Sequence, residues 1–155
     1  MIDIDKEINK SRRFLGKEIG VSKWINLDQN TISQFSDLSM DPNFIHVDEE
    51  RTKSETPFQG TIAHGFLVLS FASRFALDAF PDRGDNSFKL NYGFNKIRFV
   101  SPVASGSKIR GRFVLSDVSK KRTNGILETF DLTIETAEEE KPAVSAEWLT
   151  LTLYN

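Results

Sequence analysis

Two short segments of this sequence hold residue types that can do chemistry together. The first brings an aspartate, an asparagine and a histidine close to one another: Asp41, Asn43 and His46. The second contains Gly65 and opens a long apolar segment. A carboxylate and an imidazole can share acid and base work on one water, and backbone N–H groups at a helix start can hold a developing oxyanion. Addition of water to an activated double bond requires these groups.

Each of these residues also has a structural explanation, which the sequence leaves open. Residues 41–43 are ordinary turn residues, and Gly65 can serve tight packing of a helix on a sheet. His64 is expected to be structural, because the oxyanion role at Gly65 uses the backbone rather than an imidazole. Ser70 either faces the cleft or bonds back to its own helix.

Composition bounds the class of protein. The chain has 155 residues, which we interpret as one domain over 1–155 with an N-terminal arm at 1–17. Cysteine is absent, so disulfides, thiolate nucleophiles and zinc–thiolate sites are excluded. With two histidines, we expect no metal site. A net charge of −2 with interspersed signs predicts no nucleic-acid partner.

The N-terminal segment and the hydropathy pattern indicate a compartment. No apolar run approaches the roughly 20 residues that span a bilayer. The first seven residues carry acids where a signal peptide would carry basic and then apolar residues. We therefore expect no membrane span and a cytoplasmic protein.

Hydrophobic periodicity predicts the helices. Asp28 is a good N-cap, and Ile32, Phe35 and Leu38 recur at helical spacing, which predicts a helix over 29–39. Asp48 predicts one further turn over 49–53. Residues 61–80 are apolar nearly all round, which predicts a long helix buried on every face, ended by the turn residues at 81–85.

The rest of the chain alternates as strands do. Strands are predicted over 20–27, 88–100, 107–118, 126–136 and 143–154, with a bulge at Gly93 and a hairpin turn at Asn124 and Gly125. One buried helix and mostly consecutive strands predict an α+β fold, in which a curved antiparallel sheet wraps around a central long helix at about 61–80.

The two segments with chemical potential resemble those of a known family. Residues 41–48 and 60–67 resemble the MaoC-like (R)-specific enoyl-CoA hydratases of the hot-dog fold, and residues 91–103 resemble the nodulation protein N branch of that group. The resemblance covers about 18–153. It departs from the family motif at Met40, where the family usually has Gly, and at Phe44, where it usually has Pro.

The resemblance implies roles for individual residues. Asp41 and His46 match a catalytic dyad that activates water, Asn43 matches the amide beside it, and the N–H of Gly65 matches an oxyanion donor. Further candidates for contact with substrate are Ser70, Ile62, Ala63, Phe44, Lys96 and Arg98. Lys96 and Arg98 either meet phosphates or form the solvated face of a strand.

The resemblance implies reversible syn hydration of a trans-2-enoyl-CoA to an (R)-3-hydroxyacyl-CoA, with no cofactor beyond the thioester substrate. It also implies a homodimer and a role in fatty acid metabolism. The acyl carrier is either coenzyme A or an acyl-carrier protein. Two alternatives stay open: a hot-dog thioesterase that directs water at the carbonyl carbon, and a non-catalytic module that binds acyl-CoA.

Overall fold

One antiparallel sheet wraps around a pair of consecutive short helices. The computed structural model describes residues 2–81 and 87–155. Its helices are α1 (Ile4–Arg12), α2 (Gln29–Ser39), α3 (Phe44–Val47), α4 (Glu49–Glu55), α5 (Gly65–Ser70) and α6 (Ala72–Ala79). Its strands are β1 (Glu18–Val21), β2 (Ile25–Asn26), β3 (Ser87–Phe99), β4 (Lys108–Arg122), β5 (Gly125–Thr136) and β6 (Val144–Tyr154).

The sheet has the strand order β1-β4-β5-β6-β3, and β2 also pairs with β4. All of these pairings are antiparallel. β3 lies at one end of the order, so within the described part of the chain one of its edges is unpaired. The predicted α+β architecture with a curved antiparallel sheet is therefore confirmed.

The core lies between α6 and the sheet. Phe75 of α6 is fully buried against β4, and a Cβ atom added at Gly111 would lie 2.8 Å from the Cβ of Phe75. Phe113, Phe130 and Trp148 surround the ring of Phe80, with centroid separations of 4.6 to 6.2 Å. The glycine thus permits the close helix-to-strand approach that lets the aromatic cluster close.

The central helix differs from the prediction in its start and its continuity. It begins at Gly65 and not at Thr61, because the N–H of Ala63 bonds the carbonyl of Val103 at 2.7 Å and Ile62 forms a bridge with Ala104. Ile62 and Ala63 therefore pair in an extended conformation with the segment before β4, and the helix starts after them.

The predicted single helix is also broken into α5 and α6 at Phe71, whose ψ of −9° departs from helical geometry. The hydroxyl of Ser70 donates to the carbonyl of Leu67 at 2.7 Å, a back-bond of the kind that bends helices. Burial on every face was a wrong prediction, since Phe66 is 71% exposed and Leu77 is 78% exposed.

Most other predicted elements are confirmed with small shifts. Helix 29–39 is α2, capped by the Asp28 side chain as predicted. Strand 20–27 is divided into β1 and β2, and the turn over 49–53 is the longer α4. The bulge at Gly93 is present, and the β4–β5 turn occupies 123–124. The predicted stop at 81–85 lies outside the described residues except for Pro81.

The N-terminal segment contains helix α1, which packs on the core. Asp3 caps α1, and Ile4 and Ile8 are buried in the core. The side chain of Lys120 on β4 forms an ion pair with Asp5 at 3.2 Å. Within the described ranges, no helix combines the length and the apolar character needed to cross a membrane.

Candidate active site

The main chain at Asp41 is held by three hydrogen bonds. Helix α2 ends at Met40, which takes the left-handed conformation with φ 56° and ψ 36° and reverses the chain. The N–H of Asp41 donates to the carbonyl of Ser36 at 3.1 Å, and the Ser36 hydroxyl donates to the carbonyl of Asp41 at 2.8 Å. That carbonyl also accepts from His64 Nε2 at 3.1 Å. The backbone is thus fixed while the residue itself stays exposed.

His46 sits in α3, a single turn that begins at the Asn43 cap. Its Nδ1 lies 2.7 Å from the carbonyl oxygen of Ile62. Because a carbonyl only accepts, Nδ1 carries the proton, and the neutral ring keeps its lone pair on Nε2. The backbone carbonyl of His46 accepts from Gln29 Nε2 at 2.8 Å, and Gln29 in turn accepts from the hydroxyl of Thr61. The ring of His46 is therefore oriented through Nδ1, and its main chain is held by Gln29.

Asp41, His46 and His64 form one cluster, with a carboxylate oxygen and a nitrogen of each ring all within 4.8 Å of one another. Both histidines are buried, at 7% and 3% exposure. Burial lowers the pKa of His46 below its usual 6.5, the hydrogen bond to Ile62 opposes that shift, and the nearby His64 adds to it. This arrangement favours a neutral His46 that can accept a proton.

A pocket of about 270 Å³ opens beside this cluster. His46 and Gly65 both line it, and the remaining wall is mainly apolar and includes Val68, Phe99 and Val103. Gly65 is the first residue of α5, where helix geometry leaves the N–H without an intrahelical acceptor. A Cβ at this position would lie 2.9 Å from the Phe99 ring, so a larger residue would displace that ring from the pocket wall.

Two further predicted residues line the pocket, and two do not. Ile62 and Ala63 lie in its wall. The oxygen of the Asn43 side chain faces the N–H of Ile45 at 3.4 Å, where it caps α3. The ring of Phe44 packs against the guanidinium of Arg51, whose Cζ lies 4.2 Å from the centroid of the ring.

The other three predicted residues do not line this pocket. They are Ser70, Lys96 and Arg98. Ser70 bonds back to α5 and lines a second pocket, of about 370 Å³, together with Phe66 and Asn91. Lys96 and Arg98 are exposed on β3, and the guanidinium of Arg98 donates to the carbonyl of Ile97 at 2.8 Å.

The Asp41, His46 and His64 cluster has ligand types that metals use, but its rings are poorly arranged for ligation. The two imidazoles are stacked, with centroids 3.7 Å apart and planes tilted by 26°. A metal lies about 2.1 Å from a histidine nitrogen and in the plane of its ring, and two nearly parallel, stacked rings do not have their planes meet so close to both nitrogens. The geometry fits proton transfer better than coordination.

Sequence reasoning missed the residues that orient the dyad. Ser36, Gln29 and His64 each bond a main-chain carbonyl of Asp41 or His46. For His64, its position directly before Gly65 indicated that it lies near the site, but not that it bonds the main chain of Asp41. For Ser36 and Gln29, which look like ordinary residues of a helix, the sequence carried no signal.

Comparison with known proteins agrees with this architecture and site. A family model described as a MaoC-like domain matches residues 10–137. The chain therefore belongs to the MaoC-like dehydratase family, and its fold is the hot-dog fold seen in structural neighbours. One such neighbour, an (R)-hydratase from A. caviae involved in PHA biosynthesis, superposes with a TM-score of 0.68 at 24% identity. The match covers 86% of this chain and 95% of the neighbour.

Two curated relatives are closer in sequence. Nodulation protein N of Rhizobium meliloti (strain 1021) is 43% identical over 141 residues, which are 91% of this chain and 88% of the relative. The 3-hydroxyacyl-thioester dehydratase Z of Mycobacterium tuberculosis (strain ATCC 25618 / H37Rv) is 36% identical over 132 residues, with coverages of 85% and 86%. The predicted membership of the family and its nodulation-protein branch is thus confirmed.

Proposed function

We propose that this protein catalyses the reversible hydration of trans-2-enoyl-CoA to (R)-3-hydroxyacyl-CoA. The observation that carries the proposal is the carboxylate of Asp41 within 4.8 Å of a nitrogen of His46, beside a pocket that His46 shares with Gly65. Support also comes from the relative named 3-hydroxyacyl-thioester dehydratase and from the (R)-hydratase neighbour. The reaction needs water and the thioester, and no cofactor.

The dyad handles one water in this proposal. Asp41 and the Nε2 lone pair of His46 hold the water from two sides. As the water oxygen bonds C3 of the enoyl group, its proton passes to the dyad, and the dyad returns a proton to C2. The water is thus divided as hydroxyl and proton across the double bond, and the dyad ends in its starting state.

The thioester carbonyl is the second point of attachment. When water attacks C3, negative charge moves onto the thioester oxygen, and a donor aimed at that oxygen stabilises the transition state. The N–H of Gly65 is the donor that we assign to it, and removal of one such donor costs roughly 3–4 kcal/mol in other enzymes. The acyl group would occupy the apolar part of the pocket around Val68 and Val103.

Lys96 and Arg98 are proposed to contact the phosphates of coenzyme A. Both are exposed cations on β3, close in sequence to Phe99 of the pocket wall. Replacing both by Ala should raise the KM for crotonyl-CoA and leave the KM for the phosphate-free N-acetylcysteamine thioester unchanged. Lys6→Ala on α1, also an exposed cation, is the control. An equal KM change for both substrates would contradict the assignment.

A homodimer is the proposed assembly. The unpaired edge of β3 carries exposed Tyr92 and Phe94, and Phe66 and Phe99 are exposed nearby, in edge-to-face contact at 5.7 Å. An exposed strand edge with large apolar side chains invites pairing with another chain. A second copy is the occupant that we propose, in keeping with the resemblance.

The decisive assay follows absorbance of the conjugated thioester with crotonyl-CoA and with a longer enoyl-CoA. With wild type, the absorbance should fall as the conjugated double bond is hydrated. The kcat of Asp41→Asn should be about 10²–10⁴-fold lower, because the dyad loses its carboxylate. Asp37→Asn, an exposed aspartate in the last turn of α2, is the matched control and should keep full activity.

Thiol release is measured in the same samples. Release of free CoA by wild type, with no hydration, would contradict the hydratase proposal and support the thioesterase alternative. A flat trace at every chain length, with thermal stabilisation by acyl-CoA, would instead support the binding module.

A further inference from the structure

The second histidine of the chain lies behind the dyad, in one cluster with Asp41 and His46 but outside the lining of the pocket. His64 is the N-cap residue of α5 and is 3% exposed. One face of its ring stacks on His46 with a centroid separation of 3.7 Å, and Phe35 meets the ring edge-to-face at 5.1 Å. These two ring contacts confine the imidazole, and its hydrogen bond shows which group it holds.

The polar contact of His64 is to the main chain of Asp41. Because the Asp41 carbonyl only accepts, His64 Nε2 carries the proton and donates across 3.1 Å. Among the described residues, Nδ1 of His64 has no hydrogen-bond partner. The whole hydrogen-bonding role of this side chain is therefore to hold the backbone of Asp41, together with the hydroxyl of Ser36.

The nonpolar contact of His64 is to His46. The titratable groups that face His46 are Asp41, which raises its pKa, and His64, which lowers it in the same direction as burial. Burial is the largest cause of the lowered pKa. The stacked ring therefore restrains the His46 ring mechanically and adds to the preference for its neutral form.

We propose that His64 is a positioning residue of the hydration reaction, which holds the main chain of Asp41 through Nε2–H and fixes the His46 ring by stacking. It aims both members of the dyad at one water without contacting substrate. This inference rests on the proposed function, since it assigns the dyad to the same reaction. It gives the structural role expected of His64 a consequence for the reaction.

Two substitutions separate the two contacts. His64→Gln keeps an N–H close to the position of Nε2 and loses the ring, whereas His64→Phe keeps the stacked ring and loses the donor. His64→Ala loses both, and its kcat should fall about 10²-fold, the cost of a misplaced catalytic group. The kcat values of His64→Gln and His64→Phe should lie between those of His64→Ala and wild type. KM should change less than twofold throughout.

The physical effect is measured without turnover. Since the chain has two histidines, NMR titration resolves each imidazole. The pKa of His46 should rise in His64→Phe, because burial persists while the second imidazole is lost. Amide exchange at Asp41 should quicken in His64→Phe and stay at the wild-type rate in His64→Gln.

The outcomes distinguish this inference from the proposed function. An inactive wild type contradicts the proposed function. An active wild type with His64→Ala within twofold of its kcat overturns only the role of His64. The role of His64 would also be overturned, whatever the activity, if folded His64→Phe showed the wild-type pKa of His46 and the wild-type amide exchange rate at Asp41.

Discussion

At the residue scale, the burial of His46 determines how the reaction should depend on pH. The neutral ring is the base, and its pKa lies below the usual 6.5 because burial disfavours the charged form. We therefore expect kcat/KM to stay constant near neutral pH and to fall only as pH drops below about 6.5. A pH–rate profile checks this, and an acid inflection above 6.5 would contradict it.

The same shift predicts an effect on stability. Between the folded pKa of His46 and 6.5, the unfolded chain binds more protons than the folded chain, so the free energy of unfolding should decrease as pH falls through this range. His46→Gln, which cannot titrate, should show a weaker dependence in urea unfolding at pH 7 and pH 5. Equal slopes for wild type and variant would show that His46 does not contribute.

At the element scale, the end of α2 is strained, because a residue other than glycine occupies a left-handed backbone position. Met40 has φ 56°, a conformation that costs a residue with a side chain roughly 1–2 kcal/mol. Its side chain is 86% exposed, so its removal sacrifices little packing. We expect Met40→Gly to raise the free energy of unfolding by about 0.5–1 kcal/mol, measured by urea denaturation.

Ser39→Gly is the control for this prediction. Ser39 is the last helical residue of α2, so glycine there should lower stability by about 0.5–1 kcal/mol through backbone entropy. A destabilised Met40→Gly variant would mean that the left-handed turn is not strained.

The contact between α6 and β4 offers a second test at the same scale. An alanine Cβ at Gly111 would stand 2.8 Å from the Cβ of Phe75, an atom that cannot rotate away. Gly111→Ala should therefore lower the Tm and the free energy of unfolding by about 1–3 kcal/mol, as overpacking does. Gly60→Ala, where nothing lies within 4 Å, should change stability little. Equal behaviour of the two variants would contradict the close packing.

At the scale of the whole molecule, the exposed apolar surface around β3 determines the expected assembly. Light scattering should give twice the chain mass of 17.6 kDa. Phe66→Asp should shift the mass towards the monomer, because it places a charge in a surface that pairing would bury. Leu38→Asp is the matched control, since Leu38 is similarly exposed but lies on α2. A monomeric wild type at micromolar concentration would reject the dimer.

Short-range physics made much of this protein predictable. Capping by Asp28 and the spacing of Ile32 and Phe35 determine α2, and alternation determines the long strands, because these patterns act within a few residues. The motif positions of Asp41, His46 and Gly65 were also evident from the sequence.

The tertiary structure decided what depends on distant residues. Helix α5 starts at Gly65 because Ala63 bonds Val103, and Ser70 turned to its own helix while Phe66 stayed exposed. His64 reached Asp41 and His46 only through the folding of α2, α3 and α5 onto one another. The sequence by itself determined the local elements and the reactive side chains. Only the tertiary structure brought together the groups that orient them, since hydrogen bonds and ring stacking between distant segments leave no local pattern.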